Sequence, residues 1–355
     1  VSWFVERKLA LRTGRRAAAL DAARRTVTLD DGQEVSFDRL LIATGATPRR
    51  LAIPGADLPN LFYLRTIEDV GRLHHAMEQV ERLRRDKARV AVIGGGLLGV
   101  ELSASLKQMG LAVDLIVDST HPWPRFSGDA AGNFVTHYLQ SKGVNVHLGQ
   151  RPARLEGDGR VQRVLLSDNS TITCDFAIAA VGAIPNKDLL RGTPITAEKA
   201  ILVDSRCQTN IEGIYAAGDC CAVFDPLFSK HRILDHWNGA VTTGKLAGAN
   251  MAGDPKSYNA VSSFFSDVFD CSITVYGEPR LVDRRIVRGN PTLTTPSFLE
   301  FGLSADNRIT QILSVNHGEQ DILKQLVQSR ANVQGREERL KEPTTPLAML
   351  LKSEI

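Results

Sequence analysis

Short continuous apolar runs punctuate this chain, and stretches of strict apolar–polar alternation lead into two of them. Residues 26–48 read TVTLDDGQEVSFDRLLIATGATP. An alternating run, a polar turn at Asp31-Gly32 and a second alternating run precede an apolar stretch that ends at a small residue and glycine. That order predicts a hairpin leading into a buried strand. Residues 163–185, RVLLSDNSTITCDFAIAAVGAIP, repeat the pattern without a gap at an offset of 137. Val27, Leu29, Asp31, Asp38, Ala43, Gly45 and Pro48 recur as Val164, Leu166, Asp168, Asp175, Ala180, Gly182 and Pro185. The strand-end glycine lets backbone approach a ligand closely. Its recurrence marks an internal duplication.

Between the copies, Arg89-Val90-Ala91-Val92-Ile93 reads as a buried strand. Gly94-Gly95-Gly96-Leu97-Leu98-Gly99 follows, then a helix over residues 100–109 and a second strand over 112–117. This is G-x-G-x-x-G in the strand–turn–helix setting of a dinucleotide site. Gly94 permits the tight turn, Gly96 admits a pyrophosphate to the backbone, and Gly99 lets helix and strand pack. The helix N-terminus offers free N–H groups and a positive dipole end.

Downstream, Ile201-Leu202-Val203 reads as a strand, and Ile214-Tyr215-Ala216-Ala217 as another ending at Gly218-Asp219. A carboxylate there suits polyol hydroxyls, or caps a turn. A charged helical linker covers residues 67–87, and a small-residue helix covers 237–251. From about Ser257 the texture changes to antiparallel strands over 264–277 and 292–315, a helix over 320–331, and a charged tail ending in a short apolar docking segment.

Composition narrows the classes. Of 355 residues, 43% are hydrophobic and 23% charged, the balance of an ordinary globular protein. No run approaches the roughly 18 apolar residues of a membrane helix. The net charge of +3 does not suggest nucleic acid. Arg-Arg pairs begin at Arg15, Arg24, Arg49, Arg84 and Arg284 and read as solvated surface, with an acidic protein partner as the sharper reading. Cys174, Cys207, Cys220, Cys221 and Cys271 form no zinc or redox-disulfide spacing and suit a reducing cytoplasm. The eight histidines show no ligand spacing, and no metal site is expected.

The motifs Leu40 to Arg49, Val92 to Glu101, Ile214 to Asp219, Asp235-His236-Trp237-Asn238-Gly239-Ala240 and Phe264-Phe265-Ser266-Asp267 together resemble one family. It is the ferredoxin reductase branch of the FAD- and NAD-dependent pyridine nucleotide oxidoreductases, with putidaredoxin, rubredoxin and dioxygenase-type reductases, and apoptosis-inducing factor as a relative. The resemblance covers nearly the whole chain. It implies an α/β fold with two Rossmann-like dinucleotide-binding domains, for FAD and NAD, and a C-terminal α+β domain. The boundaries expected are 1–88 and 208–256 for the two parts of the FAD domain, 89–207 for the NAD domain, and 257–355 for the interface domain. It further implies that Thr44 and Gly45 contact FAD, that Gly218-Asp219 brings a carboxylate to the ribityl chain, and that His236 and Trp237 start a helix beside the isoalloxazine. Glu101 resembles a catalytic glutamate near the nicotinamide, and Gly182 ends a strand flanking the NAD site.

The implied activity is electron transfer from NADH through FAD to a ferredoxin-like acceptor protein, with homodimer formation left open. Two alternatives stand beside it: a thiol-based disulfide reductase or NADH oxidase, and a redox-sensing interaction protein resembling apoptosis-inducing factor. Disulfide-reducing relatives carry a C-terminal His-Pro segment, whereas His317 here is followed by Gly318.

Two positions depart from the family pattern. Phe265 stands where Trp is usual, and Val117 where a ribose-binding Glu is expected, with Asp118 following. Asp118 reaches the ribose if the strand end shifts by one; otherwise it is a loop aspartate. With an acid and no Lys or Arg in residues 117–122, NADH is expected over NADPH.

The duplication carries one more expectation. The fingerprint begins at Gly94 and its hairpin at Arg163. The same spacing before Thr26 puts a first fingerprint ahead of Val1, so the front of the FAD domain is expected to be missing.

Overall fold

The computed structural model describes residues 2–83 and 87–351. The Arg84-Arg85 pair and residues 352–355 lie outside the described residues. The chain forms two compact units, one joining the segment up to Ala46 with Pro185–Asn259, the other joining Thr47–Ile184 with the segment from Ala260 onward.

The second unit is built on a five-stranded parallel sheet. Its order is Leu61–Phe62, Phe176–Ala179, Arg89–Ile93, Ala112–Val117, Asn145–Leu148. Strands covered on both faces need continuous apolar runs. Val90 and Val92 pack one way, against Val100 and Ala104 of the helix Leu97–Gln108 and Phe134 and Leu139 of the helix Asp129–Ser141. Ala91 and Ile93 point the other way, onto Leu155, Val164 and Leu166 of a three-stranded antiparallel sheet.

That small sheet has a twin in the first unit. Pro152–Glu156, Arg163–Leu166 and Thr171–Thr173 match Ala17–Asp21, Thr26–Leu29 and Glu34–Ser36. Each first strand is irregular at its first pairing, at Ala17/Ala19 and at Pro152/Arg154. Each turn is closed by an aspartate: Asp31 Oδ1 accepts from the Gln33 N–H at 3.0 Å, and Asp168 Oδ1 from the Ser170 N–H at 2.9 Å. The duplication therefore extends one strand further than the aligned residues.

The C-terminal part of the second unit is a five-stranded antiparallel sheet, in the order Ser263–Val268, Cys271–Gly277, Ile309–Val315, Ser297–Leu303, Arg284–Asn290. Val268, Ile273, Val275, Phe298 and Leu313 join the same core as the parallel sheet. Buried Glu300 accepts from the N–H groups of Gly128 (2.7 Å) and Ala131 (3.3 Å) at the start of Asp129–Ser141. Arg285 pairs with Glu300 at 3.0 Å.

This corrects the reading of the Arg284-Arg285 pair as solvated surface. Arg284 meets Glu337 at 3.0 Å, and Arg285 is largely covered. The strand Arg284–Asn290 was not expected, because RRIVRGN lacks an alternating apolar face. Its buried Arg288 stands in for one by donating to the carbonyls of Glu342, Pro343 and Thr345, at 2.7, 3.0 and 2.5 Å.

The first unit holds the parallel pair Leu40–Ile42 with Ile214–Ala216, a three-stranded sheet of Ile201–Val203, Cys221–Asp225 and Lys230–Ile233, and the helix Trp237–Met251. Among the described residues no helix is long and apolar enough to cross a membrane.

Candidate functional site

In the second unit, three adjacent strands end at one edge of the sheet. They deliver Gly182, the glycine turn and Asp118 to the same rim, where open α/β sheets bind ligands. Gly94 has φ +119°, and its N–H donates to the Ile116 carbonyl at 2.9 Å. A Cβ there would stand 2.4 Å from the Ala180 carbonyl oxygen. A Cβ at Gly95 would meet Val117 Cγ1 at 2.6 Å, and one at Gly99 the Gly94 carbonyl oxygen at 1.8 Å. Three of the four glycines are thus required by protein packing.

Gly96 differs. A Cβ there would meet nothing within 4 Å, and Gly96 caps the helix with no side chain to satisfy its first N–H groups. An open, uncapped helix start is the geometry that accepts a phosphate. The helix begins at Leu97, three residues before the expected start, so Leu97, exposed Leu98 and Gly99 form its first turn. Gly182 has φ +96° and lies exposed just beyond the neighbouring strand.

Glu101 sits one turn into this helix, half-buried. Burial pushes its carboxyl above the usual range, the Ser266 hydroxyl draws it back down, and Asp267 raises it again. Ser266 lies on the edge strand Ser263–Val268 and is sealed from solvent. No bond of ordinary length reaches its Oγ, yet it stands near enough to Glu101 to favour the charged carboxylate. Its neighbour Phe265 is exposed. Asp118 is exposed and faces Arg151, with Nε–Oδ2 3.6 Å. The buried Trp123, at φ +63°, donates its backbone N–H to the Gly95 carbonyl at 2.9 Å. Arg151 and Trp123 lie in loops and escape a linear reading, and the place of the motif residue Ser266 beside Glu101 is set by its edge strand packing against the helix Leu97–Gln108.

In the first unit, the parallel pair places Thr44-Gly45 and Gly218-Asp219 at adjacent strand ends. Thr44 Oγ1 donates to the Asn186 carbonyl at 2.7 Å, and Asn186 Nδ2 returns a bond to the Thr44 carbonyl at 2.8 Å. Gly45 and Gly218 both have positive φ, +67° and +77°. The Gly218 N–H is held by Thr243 Oγ1 at 3.0 Å, and Asp219 is half-buried. His236 caps the helix: its Nδ1 accepts from the Gly239 N–H at 2.9 Å, leaving the neutral ring's proton on Nε2. Trp237 opens that helix, 73% exposed.

The five cysteines are free and buried. Burial pushes the Cys174 and Cys207 thiols up to about 12 and that of Cys221 well above its ordinary value. None of these three is a ready nucleophile.

Residues 4–244 match the Pyridine nucleotide-disulphide oxidoreductase family. The chain belongs to that family. Residues 263–351 match the Reductase C-terminal family, so this oxidoreductase carries both parts. It is 28% identical to the ferredoxin–NAD(+) reductase component of the anthranilate 1,2-dioxygenase system of Burkholderia cepacia, over 89% of this chain and 76% of that protein. Its fold superposes on a ferredoxin reductase from Rhodopseudomonas palustris with TM-score 0.90 and 26% identity, covering 99% of this chain and 84% of that one. It likewise matches the reductase in a covalent putidaredoxin reductase–putidaredoxin complex, with TM-score 0.89 and 26% identity over 99% and 83% of the two chains.

Proposed function

We propose that this chain is a flavin-dependent reductase that passes electrons from NADH through FAD to a ferredoxin-like iron–sulfur protein. The observation that carries the reading is the uncapped helix start at Gly96, with Glu101 one turn away. The family match and the names of its ferredoxin-reducing relatives supply the acceptor class. The Gly94–Gly96 backbone and the helix N-terminus bind the NADH pyrophosphate, and Asp118 accepts from the adenosine ribose. Glu101 orients the nicotinamide. Thr44 and Gly45 line the flavin site, Asp219 accepts from the ribityl hydroxyls, and His236 and Trp237 lie beside the ring system. Bound FAD supplies the conversion of a hydride into single electrons. Five buried thiols suit a reducing cytoplasm and speak against a disulfide mechanism through this chain's own cysteines.

The test is NADH turnover of the FAD-loaded protein with a [2Fe–2S] ferredoxin, a disulfide or oxygen as acceptor. Ferredoxin should be reduced at least tenfold faster than the others, a gap of about 1.4 kcal/mol in barrier. Faster disulfide reduction would sink the reading.

A further inference from the structure

The loop after Asn145–Leu148 is tied to the rim of the nucleotide site. The Gln150 N–H donates to the Val117 carbonyl at 3.0 Å, and the Gly149 N–H to the Ser119 carbonyl at 2.9 Å. The next residue, Arg151, has its backbone fixed on both sides. Its N–H donates to Ser167 Oγ at 3.3 Å, and its carbonyl accepts from the Ser167 N–H at 2.9 Å. From this anchored backbone the guanidinium turns to Asp118, Nε–Oδ2 3.6 Å. The two side chains are 73% and 60% exposed. A pair so open to water is weak and easily exchanged for another partner.

Asp118 follows directly on Val117, whose side chain packs beneath Gly95. That is the strand end where an acid accepts from the adenosine ribose and where an arginine receives a 2′-phosphate. Here both groups are present, and the acid occupies the arginine.

We propose that Asp118 and Arg151 form a cofactor selector: the carboxylate repels a 2′-phosphate and engages a guanidinium placed to hold it. Removing the acid alone then opens the site to NADPH. The inference rests on the nucleotide-site reading above. It adds to the reading of residues 117–122, which contain no Lys or Arg: the loop after the neighbouring strand Asn145–Leu148 supplies a cation.

The test is isothermal titration of the intact protein with NADH, NADPH and adenosine 2′,5′-bisphosphate, which reads binding without turnover. In Asp118→Ser, NADPH and the bisphosphate should bind roughly ten- to hundredfold tighter than in the unaltered protein, the effect of a charge-assisted contact. Adding Arg151→Ala should abolish that gain. Arg151→Ala alone should leave NADH affinity within about twofold, as loss of an exposed ion pair does. No gain in Asp118→Ser overturns the proposal. So does a gain that survives in the double variant, which would assign it to another cation such as Arg125. If the unaltered protein binds neither NADH nor NADPH, the nucleotide-site reading falls and takes this proposal with it.

Discussion

At Glu101, burial and a neighbouring hydroxyl act against each other, and the net result is a carboxyl held above its ordinary value of 4.5. The sign of the consequence follows. Below that value the folded and unfolded chains both hold the proton, and burial costs nothing extra. As the pH rises through the raised native value, the folded chain must ionise a half-desolvated group and loses stability. Glu101→Gln removes that cost. The variant should melt about 1–3 °C higher at pH 8 and show no gain below pH ~4, by calorimetry across pH. Its reduction by NADH should slow at every pH. A lower melting temperature at pH 8 would mean that Glu101 stabilises its helix instead. Ser266→Ala removes the opposing hydroxyl and should move the pH dependence of flavin reduction upward, with Ser266→Thr restoring it.

At the scale of elements, the four fingerprint glycines separate into two kinds that a motif cannot distinguish. A Cβ at Gly99 would overlap the Gly94 carbonyl, whereas one at Gly96 would point into open space. Gly99→Ala should therefore destabilise the protein by about 1–3 kcal/mol, seen as a lower denaturant midpoint. Gly96→Ala should fold almost normally yet bind NADH roughly tenfold or more weakly, because its methyl stands where the pyrophosphate approaches. Normal NADH affinity in Gly96→Ala would refute the placement of the cradle.

The same scale shows what was legible in advance. Arg89–Ile93, Ala112–Val117 and Phe176–Ala179 announce themselves because strands covered on both faces must be continuously apolar. The glycine turn and the two aspartate-closed hairpins are local patterns and read directly. Arg284–Asn290 stayed hidden because its inward arginine is satisfied by carbonyls from the tail rather than by apolar contact. Arg151, and the place of the motif residue Ser266 beside Glu101, stayed hidden because nothing in their own segments records which element lies alongside.

For the molecule as a whole, Glu300 is the stitch between the parallel sheet's layer and the antiparallel sheet of the same unit. Its carboxylate answers the first N–H groups of Asp129–Ser141 and the largely covered charge of Arg285. Glu300→Ala leaves Arg285 uncompensated and should cost about 3–5 kcal/mol of unfolding free energy. Replacing both by leucine should cost much less, since neither charge is then stranded. Equal losses in the single and double variants would show that helix capping, not charge pairing, carries the effect.

The seclusion of all five thiols has a practical side. A folded surface that offers no sulfur to a maleimide gives a single introduced cysteine sole claim to covalent attachment. Placed at an exposed position, that residue would decide which face of the protein meets an electrode or a dye, and current or fluorescence could then be read from one known orientation.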